Sequence, residues 1–168
     1  IAWDPFCKEL DEAVGAQSFQ INAPEEEGNS KPYGIVDVTA YIVPATQELE
    51  TDAEKARVMP SHRNKALRKF SEESLSGFYV YRENRLIHWG DWFGMPVDFH
   101  HKLCRFELSF DADLDEIFQV DIKKSRILLN DDLKDQIVKF ATPIKNEGNR
   151  RYRRKQGDVV ATKSKDIH

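Results

Sequence analysis

The amino-acid sequence predicts a domain of the α+β class, which contains both strands and helices. Residues 104–110 alternate apolar and polar side chains without a break, as a half-exposed strand does. The runs 78–81 and 86–89 are rich in aromatic and β-branched residues and lie a few residues apart, which is typical of a β-hairpin. After Asn130, apolar residues return at the spacing of an amphipathic helix.

Size and composition limit the possible classes of protein. The 168 residues suit a single domain with flanking arms, and 25 basic against 29 acidic residues give a net charge of -4. This charge argues against a surface built entirely for nucleic acid.

The two distant cysteines, Cys7 and Cys104, exclude a disulfide framework and a four-cysteine zinc site. With no long apolar run and no signal peptide, the expected protein is cytoplasmic and lacks a membrane span.

The first 32 residues are expected to form an N-terminal helix and a linker arm. Asp4 followed by Pro5 is a typical helix start, and apolar residues recur at helical spacing up to Val14. The helix should end near Gly15, and residues 19–21 should form a short strand. Because the chain opens on Ile1, it fits a piece of a longer polypeptide.

The predicted main domain covers residues 33–145. Period-two alternation between Pro32 and Pro44 predicts a long strand over residues 33–43. Thr51 and Glu54 have the spacing of a capping box, so a short helix is expected over residues 51–58. Residues 59–74 are polar and basic, and a loop of that length in a compact domain is usually functional or partly disordered.

The second half of the domain contains the hairpin and a lysine pair. Asn84 tolerates the left-handed conformation of a tight reversal, and two glycines within residues 89–94 would let large rings fold back against the sheet. Asp113 should cap a short helix through Phe118, and residues 120–122 should form a strand ending at Lys123 and Lys124. The last helix should start at residue 130 or 131, with a kink or end at Pro143. Residues 146–168 form the predicted basic, partly disordered tail.

No complete catalytic site is recognisable in the sequence. It lacks a P-loop, a dinucleotide-binding glycine motif and a nucleophile elbow. His100, His101 and Cys104 have no fourth metal ligand at suitable spacing, so a loop end is expected there and no metal site. A lysine at a strand end can meet a phosphate as a point charge, although a solvated strand end explains Lys123 and Lys124 equally well.

Four segments carry a resemblance to a known family: residues 77–87 (GFYVYRENRLI), 89–94 (WGDWFG), 104–108 (CRFEL) and 120–125 (VDIKKS). Together they resemble the region that follows the ATP-binding domain in bacterial GHKL ATPases. This superfamily includes gyrase, the ninety-kilodalton heat-shock chaperones, histidine kinases, the mismatch-repair ATPase and the MORC proteins. The resemblance covers roughly residues 33–145.

The resemblance implies a transducer domain with the ribosomal protein S five domain 2-like fold, a mixed or antiparallel sheet with helices on one face. In such domains a lysine reaches the γ-phosphate of ATP held by the preceding domain, and an apolar residue tends to follow it three positions later. Ile127 follows Lys124 by three positions, so Lys124 is the first candidate for this contact. Arg126 stands at the corresponding place after Lys123, so Lys123 is the second candidate. The motifs of the ATP-binding half are absent from the sequence. The chain is therefore expected to be an ATP hydrolase fragment that needs an upstream domain, with ATP and magnesium bound only in the full-length protein.

Two other functions remain open. A basic segment with one aromatic ring, typical of nucleic-acid contacts, comprises Arg150, Arg151, Tyr152, Arg153, Arg154 and Lys155. The alternative for this segment is a solvated helix end. In the other function, the aromatic residues within 89–93 would form the contact surface of a homodimer or of a partner-docking domain.

Overall fold

The computed structural model of the chain describes residues 4–9, 12–22, 32–45, 49–59, 72–114, 129 and 131–165. These residues include five strands: β1 (Gly15–Asn22), β2 (Pro32–Ile42), β3 (Gly77–Arg82), β4 (Arg85–Asp91) and β5 (Cys104–Phe110). They also include three α-helices, which are α1 (Asp52–Val58), α2 (Glu72–Leu75) and the long α3 (Asp131–Lys165). Single 3-10 turns lie at Phe99–His101 and Ala112–Leu114.

The strands form one mixed sheet in the order β1-β2-β5-β3-β4. Neighbouring strands run antiparallel except β3 and β5, which are parallel. The last of the described strands, β5, thus inserts between the two hairpins β1–β2 and β3–β4. This architecture confirms the α+β class and a mixed sheet.

The predicted hairpin is confirmed as β3–β4. Its two turn residues, Glu83 and Asn84, both have positive φ angles of 49° and 62°. Two successive left-handed residues give the turn a backbone twist that matches the twist of the flanking strands. Asn84 therefore occupies the role that its tolerance of this conformation predicts.

One face of the sheet packs against α3. Alternate side chains of the strands point to this face because strand side chains alternate in direction. Phe106 of β5 stacks on Phe78 of β3 at 4.5 Å between ring centroids, and Phe140 of α3 meets Phe106 edge-on at 6.5 Å. The buried residues that join sheet and helix here are Phe19, Val36, Val38, Phe78, Val80, Phe106, Leu108, Leu133, Ile137 and Ala141.

The opposite face of the sheet is covered at one end by residues 4–9. Phe6 from this segment, Tyr41 of β2 and Tyr79 of β3 form a second buried cluster. Arg105 of β5, which alternation places on the outward face, is fully buried. The predicted half-exposed strand is therefore correct for the apolar face and wrong for Arg105, because the N-terminal segment covers that position.

Several local predictions are confirmed. The strand over residues 33–43 is β2, and the short strand at residues 19–21 is part of the longer β1. In α1, Thr51 Oγ1 accepts from the Glu54 amide at 3.2 Å and the Glu54 carboxylate accepts from the Thr51 amide at 3.2 Å, which completes the capping box. Because β1 lies in the sheet, the sheet begins before the predicted boundary at residue 33.

The predicted helix from Asp4 is wrong. The Asp4 carboxylate does accept from the amides of Phe6 at 3.0 Å and Lys8 at 2.9 Å, as a helix cap would. Residues 5–9 nevertheless form turns, and Cys7 has a φ of 53°. This left-handed residue, whose side chain is buried, stops helical propagation.

Of the kink or end predicted at Pro143, the end is wrong, since α3 continues through this residue to Lys165. Pro143 lies on the exposed side of the helix. On the other side, Ala141 and Gly148 are buried and Ile144 packs against the core, both before and after the proline. Burial of this apolar side compensates for the backbone hydrogen bond that proline removes from the helix. The tail predicted from residue 146 is helical as far as residue 165.

Candidate functional site

The two lysines of first interest, Lys123 and Lys124, lie outside the described residues. They belong to the segment that joins β5 to α3, residues 111–130, here called the lysine-bearing stretch, of which residues 111–114 and 129 are described. Leu114 at its start is buried, and a side chain at Gly34 of β2 would collide with it. Leu129 at its end packs against the core.

The tight turn of the β3–β4 hairpin binds the start of this stretch. The Glu83 carboxylate accepts a hydrogen bond from the Ala112 amide at 2.7 Å, and the Glu83 amide donates to the Phe110 carbonyl at 3.1 Å. The Leu114 amide donates to the Asp111 carbonyl at 3.0 Å, which closes the 3-10 turn. The segments 77–87 and 104–108, which the sequence resemblance groups together, lie side by side in the sheet through the pairing of β3 with β5.

Glu83 was missed as a functional candidate by reasoning from sequence. A glutamate in a two-residue turn is usually exposed, as this one is. Its contact with Ala112 depends on the parallel pairing of β3 with β5, in which Arg82 lies opposite Phe110. Nothing in the local sequence signals that pairing.

The glycine-aromatic motif of residues 89–94 folds back as predicted. Gly90, Phe93 and Gly94 have positive φ angles of 73°, 50° and 74°. Trp92 meets Phe106 edge-on at 5.7 Å, and its indole nitrogen donates to Ser76 Oγ at 3.1 Å. These contacts attach the connection after β4 to the central strands.

The aromatic side chains of this motif serve the core more than the surface. Trp92 and Phe93 pack against the core, whereas Trp89 remains 39% exposed and stacks on Tyr79 at 6.3 Å. A docking surface that includes all the aromatic residues in 89–93 does not fit this geometry.

The basic segment of α3 is divided between two environments. Arg150 and Arg151 both bind the carboxylate of Glu147, at 2.7 and 2.9 Å, and the hydrogen bonds from these two arginines lower the pKa of Glu147 to about 2. Arg153 and Arg154 are exposed, and the side chain of Lys155 lies outside the described part.

Tyr152, in the same segment, is 6% exposed. Lys102 Nζ lies 4.6 Å from the centre of its ring, and the His100 imidazole meets the ring edge-on at 5.7 Å. A ring buried in this way cannot stack on a base while α3 keeps its position. Within the nucleic-acid hypothesis, phosphate contacts by the exposed Arg153 and Arg154 stay a prediction.

The two histidines share Asp98 as a partner, at 3.2 Å from His100 Nδ1 and 3.7 Å from His101 Nδ1, whereas Cys104 contacts α3. Asp98 caps the 3-10 turn Phe99–His101, and the His101 ring nitrogen Nδ1 accepts from the Asp98 amide at 3.1 Å. Burial lowers the pKa of His101. The Cys104 thiol lies against α3 with a 3.7 Å contact to the Ile144 carbonyl, and burial raises its pKa to about 12. Across the described ranges, no group of three or more His, Cys, Asp or Glu residues is placed to hold a metal ion.

Comparisons with known proteins give no further assignment. No protein-family model matches the chain, and neither a curated protein nor a solved structure matches it. Among the described helices, none combines the length and apolar character needed to cross a membrane.

Proposed function

We propose that this chain is the transducer half of a GHKL-type ATPase. In this proposal an upstream domain holds ATP and its magnesium, and the present chain supplies a lysine to the γ-phosphate. Lys124 is the first candidate for this contact and Lys123 the second. The chain alone lacks the groups that bind the nucleotide, so hydrolysis needs both domains.

The observation that carries the proposal is the bond between the hairpin turn and the exit of β5. The GFYVYRENRLI run forms β3, the turn and β4, and Glu83 in the turn accepts from the Ala112 amide at 2.7 Å. Lys124 follows Ala112 by twelve residues. The hairpin, β5 and the start of the lysine-bearing stretch thus share one fixed junction, as expected if the resembling segments act as one unit.

The mixed sheet with a long helix against one face also supports the proposal. The resemblance implies a mixed or antiparallel sheet with helices on one face, and we include the ribosomal protein S five domain 2-like fold in the proposal.

The proposed chemistry is electrostatic. As the terminal phosphoryl group is transferred, charge develops on its oxygens, and a positioned ammonium group stabilises that charge. A lysine supplied by a second domain makes this stabilisation depend on domain closure. ATP binding and hydrolysis then change the orientation of the two domains, because the contact is present only while the γ-phosphate is bound.

Joining the two halves tests the proposal. We expect the chain alone to hydrolyse no ATP above buffer, and the ATP-binding domain alone to turn over slowly. The joined protein should be faster by about 100-fold, the usual order for a charge aimed at a developing oxyanion. A steady-state phosphate-release assay on the three proteins measures this. Equal turnover by the ATP-binding domain with and without the chain would contradict the transducer role.

A further inference from the structure

Residues Asp4–Glu9, here called the strap, are attached to the sheet face opposite α3. The Phe6 ring is 2% exposed. It stacks on Tyr41 at 4.8 Å and meets Tyr79 edge-on at 5.3 Å. The strap is therefore anchored by an aromatic side chain in a pocket of tyrosine rings.

A buried arginine supplies the second anchor. Arg105 Nη1 donates to the Pro5 carbonyl at 2.7 Å, and Nη2 donates to the Val58 carbonyl at 3.2 Å. No carboxylate in the described part of the chain forms an ion pair with Arg105. A buried cation without a carboxylate is costly, and here backbone carbonyls oppose its charge. The Val58 carbonyl belongs to the last turn of α1, where the helix dipole is negative.

An ion pair fixes the far end of the strap. Lys8 Nζ lies 3.1 Å from a carboxylate oxygen of Glu107, the next residue of β5 on the same face as Arg105. Lys8 also lies over the Phe6 ring, 5.4 Å from its centre. Between these anchors, Cys7 is 3% exposed and left-handed, a conformation that persists only when its surroundings impose it.

The strap and the lysine-bearing stretch are attached to opposite ends of one strand. Arg105 is the second residue of β5 and holds the strap, whereas Phe110 is the last and receives the hydrogen bond from Glu83. At about 3.3 Å per residue, these two positions are roughly 17 Å apart along a rigid central strand. A displacement of the strap would thus change the position of the preceding chain relative to the start of the lysine-bearing stretch.

We propose that the strap is the joint that orients the ATP-binding domain, and that Phe6 and Arg105 are positioning residues for ATP hydrolysis. This inference rests on the proposed function, in which that domain lies upstream of the strap. Neither residue touches the nucleotide. They act by fixing the angle at which the upstream domain leaves the sheet, so their loss lowers turnover without weakening nucleotide binding.

The two cysteines allow a direct test in the intact protein with Phe6→Ala. Cys7 lies in the strap and Cys104 in β5, both buried, so alkylation followed by peptide mass spectrometry reports strap release and unfolding separately. We expect Cys7 to react about tenfold faster while Cys104 is unchanged, as for local opening. Turnover should fall by about tenfold or more, with the affinity for a non-hydrolysable ATP analogue unchanged. Gln17→Ala, at an exposed position of β1, is the matched control.

If Phe6→Ala unfolds the protein, both cysteines should react. Lys8→Ala is then the milder variant to use in place of Phe6→Ala. Lys8→Ala removes the ion pair with Glu107 and the contact of the ammonium group with the Phe6 ring, but leaves the ring in place, and should change both readouts in the same direction. Faster Cys7 labelling with unchanged turnover would overturn the inference, as would lower turnover with Cys7 still protected. Lys124→Ala and Lys123→Ala in the same assay separate the two proposals, because full turnover in both variants would refute the transducer role itself.

Discussion

Replacing Lys124 with alanine in the proposed two-domain ATPase should lower steady-state ATP turnover by about 100-fold to 1,000-fold, the loss that follows removal of one preorganised group at a developing oxyanion. The affinity for ATP should change far less, because the contact strengthens as charge develops on the phosphoryl oxygens. Turnover and analogue binding, measured on the same preparation, distinguish these two effects.

Two matched lysine variants make this result specific. Lys123→Ala removes a neighbouring charge and should cost clearly less than Lys124→Ala. Lys139→Ala removes a charge from the exposed side of α3 and should leave turnover unchanged. If Lys123→Ala is the more damaging, the phosphate contact belongs to Lys123. If neither lysine variant lowers turnover, the lysine pair has no role in hydrolysis.

Replacing Gly148 with alanine should destabilise the chain, opposite to the usual effect of this change in a helix. Alanine ordinarily stabilises a helix interior by about 1 kcal/mol relative to glycine. At Gly148, however, an added Cβ would overlap the Cys104 sulfur, where α3 lies on β5. Both residues are buried, so we expect a net loss of about 1–3 kcal/mol in the free energy of unfolding, the usual range for overpacking.

A double-mutant cycle identifies the cause of this loss. Cys104→Ala removes the sulfur that the new methyl group would meet, so the double variant should be more stable than Gly148→Ala alone. Asn146→Ala, at an exposed position of the same helix, should be neutral or slightly stabilising. Urea denaturation of the parent chain, Gly148→Ala, Cys104→Ala and the double variant gives the coupling free energy between the two positions. If Gly148→Ala is as stable as the parent chain, α3 does not lie against β5 as described.

Local patterns predicted the individual strands of this fold well. The alternation in residues 104–110 arises because one face of a single strand packs on the core. The strand β5 has the predicted bounds. The capping box at Thr51 and the turn at Asn84 depend on neighbours within four residues, and both were correct. Such predictions succeed because the interactions that decide them are local.

The failures arise from contacts between distant parts of the chain. Asp4 caps a turn as its type predicts, yet the docking of Phe6 among the tyrosines favours a strap over a helix. Pro143 disfavours a helix locally, but packing of the helix on both sides of it outweighs that cost. Arg105 occupies a polar position of its strand, and its burial depends on a segment 100 residues away.

The candidate site follows the same division. The hairpin and the folded-back motif around Trp92 were predicted, whereas the bond from Glu83 to Ala112 follows from the insertion of β5 beside β3. Tyr152 has the composition of a nucleic-acid contact but packs against Lys102. The roles of Lys123 and Lys124 stay predictions, since both residues lie outside the described ranges.

The central claim, that this chain supplies the lysine that meets the γ-phosphate, is tested most directly by affinity labelling. An ATP analogue with an aldehyde beyond its terminal phosphate forms an imine with a nearby amine, and borohydride traps the product for peptide mapping. In the intact protein we expect the label on Lys124, or on Lys123, and we expect ATP to prevent it. Labelling confined to the ATP-binding domain, or equal labelling with and without ATP, would contradict the claim.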